Sequence, residues 1–254
     1  MLYHLLMSGI PKATASLIAK TGLFLAALSA LAALSSGLGF RYELWDFQTG
    51  LKAFRWSAYC ALASAVLSLV GIVLSRLSGA SRGLFIAAFG LVISVLLLAV
   101  PLYWLQKARS LPSIHDISTD TENPPKFVAI LPLRKNALNP SEYGGEPIAA
   151  QQRKAYPDIA PLLLNISPDK AFERANRVAT KMGWKIVDAS IKEGRIEATA
   201  TTRWFGFKDD IVIRIENGDG GSRVDIRSVS RVGKSDLGTN ANRIRRFLRE
   251  MEKS

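Results

Sequence analysis

The sequence predicts three membrane-spanning helices followed by an α+β domain, and three observations carry that expectation. Three long stretches contain no charged residue, nine of the eleven prolines fall between Ser110 and Pro168, and the C-terminal part reads α-β-β-β-β-α. That order predicts a curved antiparallel sheet with both helices against one face.

The charge-free stretches are Thr21 to Phe40, Trp56 to Ser75 and Gly83 to Gln106. A helix rises about 1.5 Å per residue and the hydrocarbon layer is about 30 Å thick, so about 20 residues suffice. Spans are therefore expected at about 21–40, 56–75 and 83–105, within a transmembrane region of residues 1–106. Pro101 should bend or end the third near the interface, where Tyr103 and Trp104 suit the headgroups. No ionisable residue sits inside a span, which favours an anchor over a transport path. Ala26 and Ala30, Ala33 and Gly37, Ala61 and Ala65, and Ser64 and Ser68 recur four apart, a spacing that lets helices approach closely. It fits packing within one three-helix bundle, with an oligomer interface as the alternative. Leu44, Phe47, Leu51 and Phe54 suggest an interfacial amphipathic helix or, given Gly50, an irregular loop.

These features predict a multi-pass protein of the cell membrane whose first partner is the lipid bilayer. Lys12 and Lys20 before an apolar run also admit a cleaved signal peptide, although the run is longer than a usual signal core. Arg76 and Arg82 flank a short loop without any acid, so the N-terminus is expected in the cytoplasm and the domain outside it. The net charge of +12 would suit nucleic acid, but both signs are mixed through the C-terminal part and no recognition motif is present. Nucleic acid is not an expected partner. Cys60, the single cysteine, excludes an intrachain disulfide.

Residues 107–166 read as an extended, proline-rich connector whose apolar patches, Phe127 to Leu133 and Ile159 to Ile166, lie on the domain like straps. The α+β domain is expected over 167–254. Ser167-Pro168-Asp169 signals a helix start, and Ala171, Phe172, Ala175, Val178, Ala179 and Met182 form its stripe before Gly183. Trp184 to Ile191 and Ile196 to Thr202 make a hairpin about Glu193-Gly194, and Asp210 to Asn217 turns through Gly218-Asp219-Gly220-Gly221 into Arg223 to Val232. Val229 is out of phase with Val224 and Ile226, which predicts a bulge near Ser228. Asp236 caps a last helix with the stripe Leu237, Ala241, Ile244, Phe247, Leu248 and Met251.

Trp204-Phe205-Gly206-Phe207-Lys208-Asp209-Asp210, continued by Ile211 to Ile215, the run Ser230 to Asn240, and Arg243-Ile244 with Phe247-Leu248 resemble the domain of unknown function family 1499, DUF1499. Thr119-Asp120 and Pro124 to Phe127 resemble its leading segment, so the likeness extends from about Ile114 to Leu248. It implies a membrane-anchored bacterial member, and it implies no activity.

Candidate chemistry is sparse. His4 and His115 are the only histidines and Cys60 lies in a span, which excludes a Cys/His nucleophile. His115, Asp116, Asp120 and Glu122 match no standard metal loop, and neither metal nor cofactor is expected. Asp209 and Asp210 are neighbours on a strand and point to opposite faces, which opposes a paired-carboxylate site. Ion pairs with Arg203, Arg214 or Arg223 are the simpler reading, and a hydrolase using Asp209, Asp210 or Asp236 is an alternative. Arg231, Lys234, Asp236, Asn240 and Arg243 are candidates for partner or anion binding at a loop before a helix N-terminus, the alternative being a capped, locally paired loop. Trp204, Phe205 and Phe207 are candidates for membrane or partner contact. The expectation is a non-catalytic integral membrane protein that presents its domain to a partner protein of the membrane or envelope, or to lipid. A small-molecule or anion sensor is the alternative.

Overall fold

A computed structural model describes residues 11–253; His4 lies outside them. The chain divides into two compact units, one of residues up to Gln106 with Trp204–Gly206, the other of Lys107–Arg203 and Phe207–Ser254.

Three helices dominate the first unit: α1 (Lys12–Arg41), α2 (Phe47–Ser78) and α3 (Ser81–Ser110). Each is long and apolar enough to cross a membrane. Every buried residue on them is Gly, Ala or Ser: Ala15, Ala19, Gly22, Ala26 and Ser29 on α1, Ser57, Ala61, Ser64, Ser68, Gly71 and Ser75 on α2, and Gly83, Ala87, Gly90 and Ser94 on α3, among others. Spacings of four and three alternate along these series, a 3.5-residue period that keeps one seam facing its neighbours. The backbones come close. A Cβ on Gly71 would lie 3.2 Å from both Ala19 Cα and Ala87 Cβ. Hydroxyls bridge the seam: Ser29 donates to the Ser57 carbonyl at 2.7 Å, Ser64 to that of Gly22 at 2.7 Å, and Ser64 and Ser94 share a bond of 2.8 Å. The large side chains point away, with Leu17, Phe24, Leu31, Phe85, Phe89 and Leu96 all at least 60 % exposed. A water-soluble bundle would bury these and expose small residues. The expected interfacial helix or loop at 44–54 is instead, from Phe47 on, the start of α2. Asp46 caps α2 by accepting the N–H groups of Gln48 and Thr49, and Gly50 lets α2 pass the Ser36 carbonyl. Pro101 does not end α3, which continues to Ser110.

The second unit is built on an antiparallel sheet of six strands: β1 (Asp116–Ser118), β2 (Leu162–Leu164), β3 (Lys185–Ser190), β4 (Arg195–Thr201), β5 (Lys208–Gly218) and β6 (Gly221–Ser230). The order is β1-β6-β5-β4-β3, with β2 also on β6. Three helices, α4 (Glu146–Ala155), α5 (Pro168–Lys181) and α6 (Thr239–Lys253), complete it. Ile196, Ala198, Ile211, Ile213, Ile215, Val224 and Ile226 face a core shared with α5 and α6, in which Trp184 stacks on Phe247 at 5.5 Å.

Two strands that the sequence does not announce, β1 and β2, come from the connector and pair with β6. Beside β1, the fully buried Gln152 of α4 accepts from Ser118 N at 2.9 Å and donates to Ser118 O at 2.6 Å, imitating one more strand. The bulge expected near Ser228 is absent: β5 and β6 stay in register from Asp209↔Ser230 to Gly218↔Gly221. Val229 looks out of phase because it faces the other side of the sheet, against Phe127, Ile130 and Val212. The irregularity lies instead between Ile186 and Asp188 on the edge strand. At the β3–β4 hairpin Gly194 has φ +60, and a Cβ there would lie 2.1 Å from the Ile215 carbonyl oxygen. Ser167 stands before α5 without a side-chain capping bond.

Candidate functional site

Adjacent aspartates on β5 divide the sheet's chemistry between its two faces. Asp209 points to the helix side, where Arg243 of α6 meets its Oδ2 at 2.5 Å. Arg243 also donates to Ser228 Oγ at 3.0 Å and to Asn240 Oδ1. Asn240 is fully buried and donates to the His115 carbonyl at 2.9 Å and to Ser230 Oγ at 3.1 Å. Asp236 accepts from Gly238 N at 2.9 Å and Asn240 N at 2.5 Å, fixing the turn that starts α6. Leu237 in that turn holds φ 52, a left-handed conformation costly for a branched side chain. Burial pushes the Asp236 carboxyl above its ordinary range, opposed by those two N–H bonds and raised further by nearby Asp209.

Asp210 points the other way and is fully buried. Arg134 reaches its Oδ2 at 2.6 Å, Arg231 grips both oxygens at 2.8 Å, and Thr199 donates to Oδ1 at 2.8 Å. Further along this face Arg227 forms a bidentate pair with Asp116, at 2.9 and 2.7 Å, between the rings of Phe127 and Tyr143. Burial drives the Asp116 carboxyl up even against Arg227, and lifts the Tyr143 phenol to about 12. Asp225 and Asp120 together hold Arg214 and Arg223 at 2.9 to 3.0 Å. Glu197, fully buried, accepts the N–H groups of Val128, Ala129 and Ile130 at 2.9, 3.0 and 2.8 Å and pairs with Arg195. The connector thus roofs this face, its Phe127 and Ile130 filling the gaps between ion pairs.

Arg231 is held by Asp210 and Arg243 by Asp209, while Asp236 and Asn240 hold the loop; Lys234 is exposed, its carbonyl 3.3 Å from His115 Nδ1. Asp209 and Asp210 do not meet, and their partners are Arg243, Arg134 and Arg231 in place of the expected Arg203, Arg214 and Arg223. Trp204 and Phe205 belong to the helical unit, where Gly37 leaves room for the Trp204 indole, which donates to the Leu34 carbonyl at 3.4 Å and meets Phe54 edge-on. Phe205 is buried and Phe207 half-buried. Among the described residues no group of three His, Cys, Asp or Glu is placed to hold a metal.

The family model described as "Protein of unknown function (DUF1499)" matches residues 116–251. The chain belongs to the DUF1499 family. No curated protein and no solved structure matches it. The DUF1499 match begins at Asp116, the partner of Arg227, and so takes in both the roof and the sheet beneath it. Sequence reasoning missed Arg134, Glu197, Asp225 and Arg227. Their signal was the phase of the charges: Glu197, Asp210, Arg214, Asp225 and Arg227 alternate with the core residues of β4, β5 and β6, and a face so charged needs partners.

Proposed function

We propose that this chain is a multi-pass membrane protein that presents its DUF1499 domain at the bilayer surface as a non-catalytic binding module for a membrane or envelope protein or for lipid. The observation that carries the reading is the inverted packing of α1, α2 and α3, with Gly, Ala and Ser inside and Leu, Val and Phe outside. In the domain Asp209, Asp210, Arg231 and Arg243 of the family motif are held in ion pairs, which supports a framework role for them and directs binding to the surface. The acid-free loop between Arg76 and Arg82 supports a cytoplasmic N-terminus and an extracytoplasmic domain.

The test is made on the full-length chain in its native membrane. Resistance to alkaline carbonate extraction, alkaline phosphatase activity from a fusion after residue 110, and crosslinking of a partner protein or lipid to the domain are the expected results. Release by carbonate overturns the membrane reading, an inactive phosphatase fusion with a fluorescent green one reverses the orientation, and turnover by the purified chain on a substrate panel overturns the non-catalytic part.

A further inference from the structure

The connector strap that roofs the sheet has an outer surface of its own. Phe127, Ile130 and Arg134 turn inward and are buried, whereas Val128, Leu131, Leu133 and Leu138 are 54, 44, 52 and 66 % exposed. Four large apolar side chains on one short strap form the kind of exposed patch that marks an interaction surface. From Lys126 to Ser141, between the exposed Glu122 and Glu142, the chain holds no acidic residue, and Lys126 and Lys135 on the strap are exposed.

The strap runs to one particular end of the sheet. Leu138 N and Asn139 N donate to the Arg231 carbonyl at 3.0 Å, Arg231 Nη1 donates to the Leu133 carbonyl at 2.8 Å, and Arg231 N donates to the Lys208 carbonyl at 3.0 Å. The chain enters the sheet from α3 at that same end, where Ser230 N donates to the His115 carbonyl and Asp116 lies opposite Val229. Lys208 and Lys234, both exposed, add to its positive charge, while the exposed acids Glu193, Glu216 and Asp219 lie at the far end.

We propose that residues 126–138 are an interfacial anchor: Val128, Leu131, Leu133 and Leu138 enter the boundary between headgroups and acyl chains of an anionic bilayer, and Lys126 and Lys135 meet the lipid phosphates. The inference rests on the reading of α1 to α3 as membrane spans. Lipid is favoured over a protein because apolar side chains beside exposed lysines that make no ion pair among the described residues match an anionic interface without needing a shaped counterpart. The spans also tether the domain to that surface at high effective concentration.

Single cysteines placed at Leu131 and Leu133 in a Cys60→Ala background, and at Leu163 and Ile191 as controls, carry an environment-sensitive nitrobenzoxadiazole label. The controls are 66 and 53 % exposed and lie toward the far end of the sheet. Full-length protein goes into nanodiscs of phosphatidylcholine, with or without phosphatidylglycerol, and with doxyl-labelled lipid as quencher. The expected result is a blue-shifted, lipid-quenched label at 131 and 133 in the anionic discs, and a water-like label at 163 and 191. Each lysine near such a surface contributes roughly fivefold to membrane affinity, so Lys126→Glu with Lys135→Glu should abolish most of the shift. Water-like emission at 131 and 133 overturns the anchor, as does a blue shift that doxyl lipid does not quench, which would denote a protein contact. Failure of the chain to co-float with lipid defeats the membrane reading itself and is read before any label is measured.

Discussion

Asp210 is fully buried beneath two guanidinium groups and a threonine hydroxyl. Removing it strands Arg134 and Arg231 without a counter-charge, and Asp210→Ala should cost about 3–5 kcal/mol, measured by denaturant unfolding in mild detergent. A loss below 1 kcal/mol would mean that water or another acid satisfies the arginines. Titration separates two other aspartates. Burial raises Asp120, but the N–H groups of Asn123 and Glu122 and the Arg214 guanidinium outweigh it, leaving its pKa below the ordinary 3.8. Its contribution is therefore full above pH 3.8 and fades as pH falls through the lowered value. Asp236 is raised, so its contribution declines as pH climbs from 3.8 to its folded value. Melting profiles between pH 3 and 7 should show Asp236→Asn removing that decline, while Asp120→Asn flattens the acid limb. The opposite faces of Asp209 and Asp210 were legible from strand geometry, but their partners were not. Arg134 lies 76 positions from Asp210, in a 3-10 turn that no periodicity announces.

At the scale of elements, the spans and the four-strand run were readable because each repeats one pattern over enough residues. β1 and β2 were not, since three residues hold no period and their pairing is dictated by β6. The seam of the helical unit makes a sharp prediction. Gly71→Leu must displace the backbone of α1 and the methyl of Ala87, so overpacking of about 1–3 kcal/mol is expected. Leu31→Ala, on an outward position, should change stability by about 0.5 kcal/mol or less. Thermal melting followed by size-exclusion chromatography of detergent-solubilised protein distinguishes the pair, and equal effects would show that the helices pack through some other face. In the domain, Phe247→Ala removes the ring stacked on Trp184 and should cost about 3–5 kcal/mol.

For the whole molecule, the connector belongs to the sheet's architecture as much as the long strands do. A fragment beginning at Ser167 lacks β1, β2, Arg134 and the Phe127–Ile130 cover, and should fail to unfold cooperatively; one beginning at Lys107 should melt in a single transition. Circular dichroism on the two fragments decides this, and a cooperative melt from the shorter one would reduce the roof to decoration. The position of β6 has a further consequence in time. It is flanked on one side by strands from the connector and on the other by β5, so Asp116 waits for Val229, 113 residues later. During synthesis Asp116, Asp120 and Arg134 emerge long before the strands that neutralise them. The ribosome must release β6 before the polar face can close, and a chain cut short before β6 leaves Asp116 without Arg227.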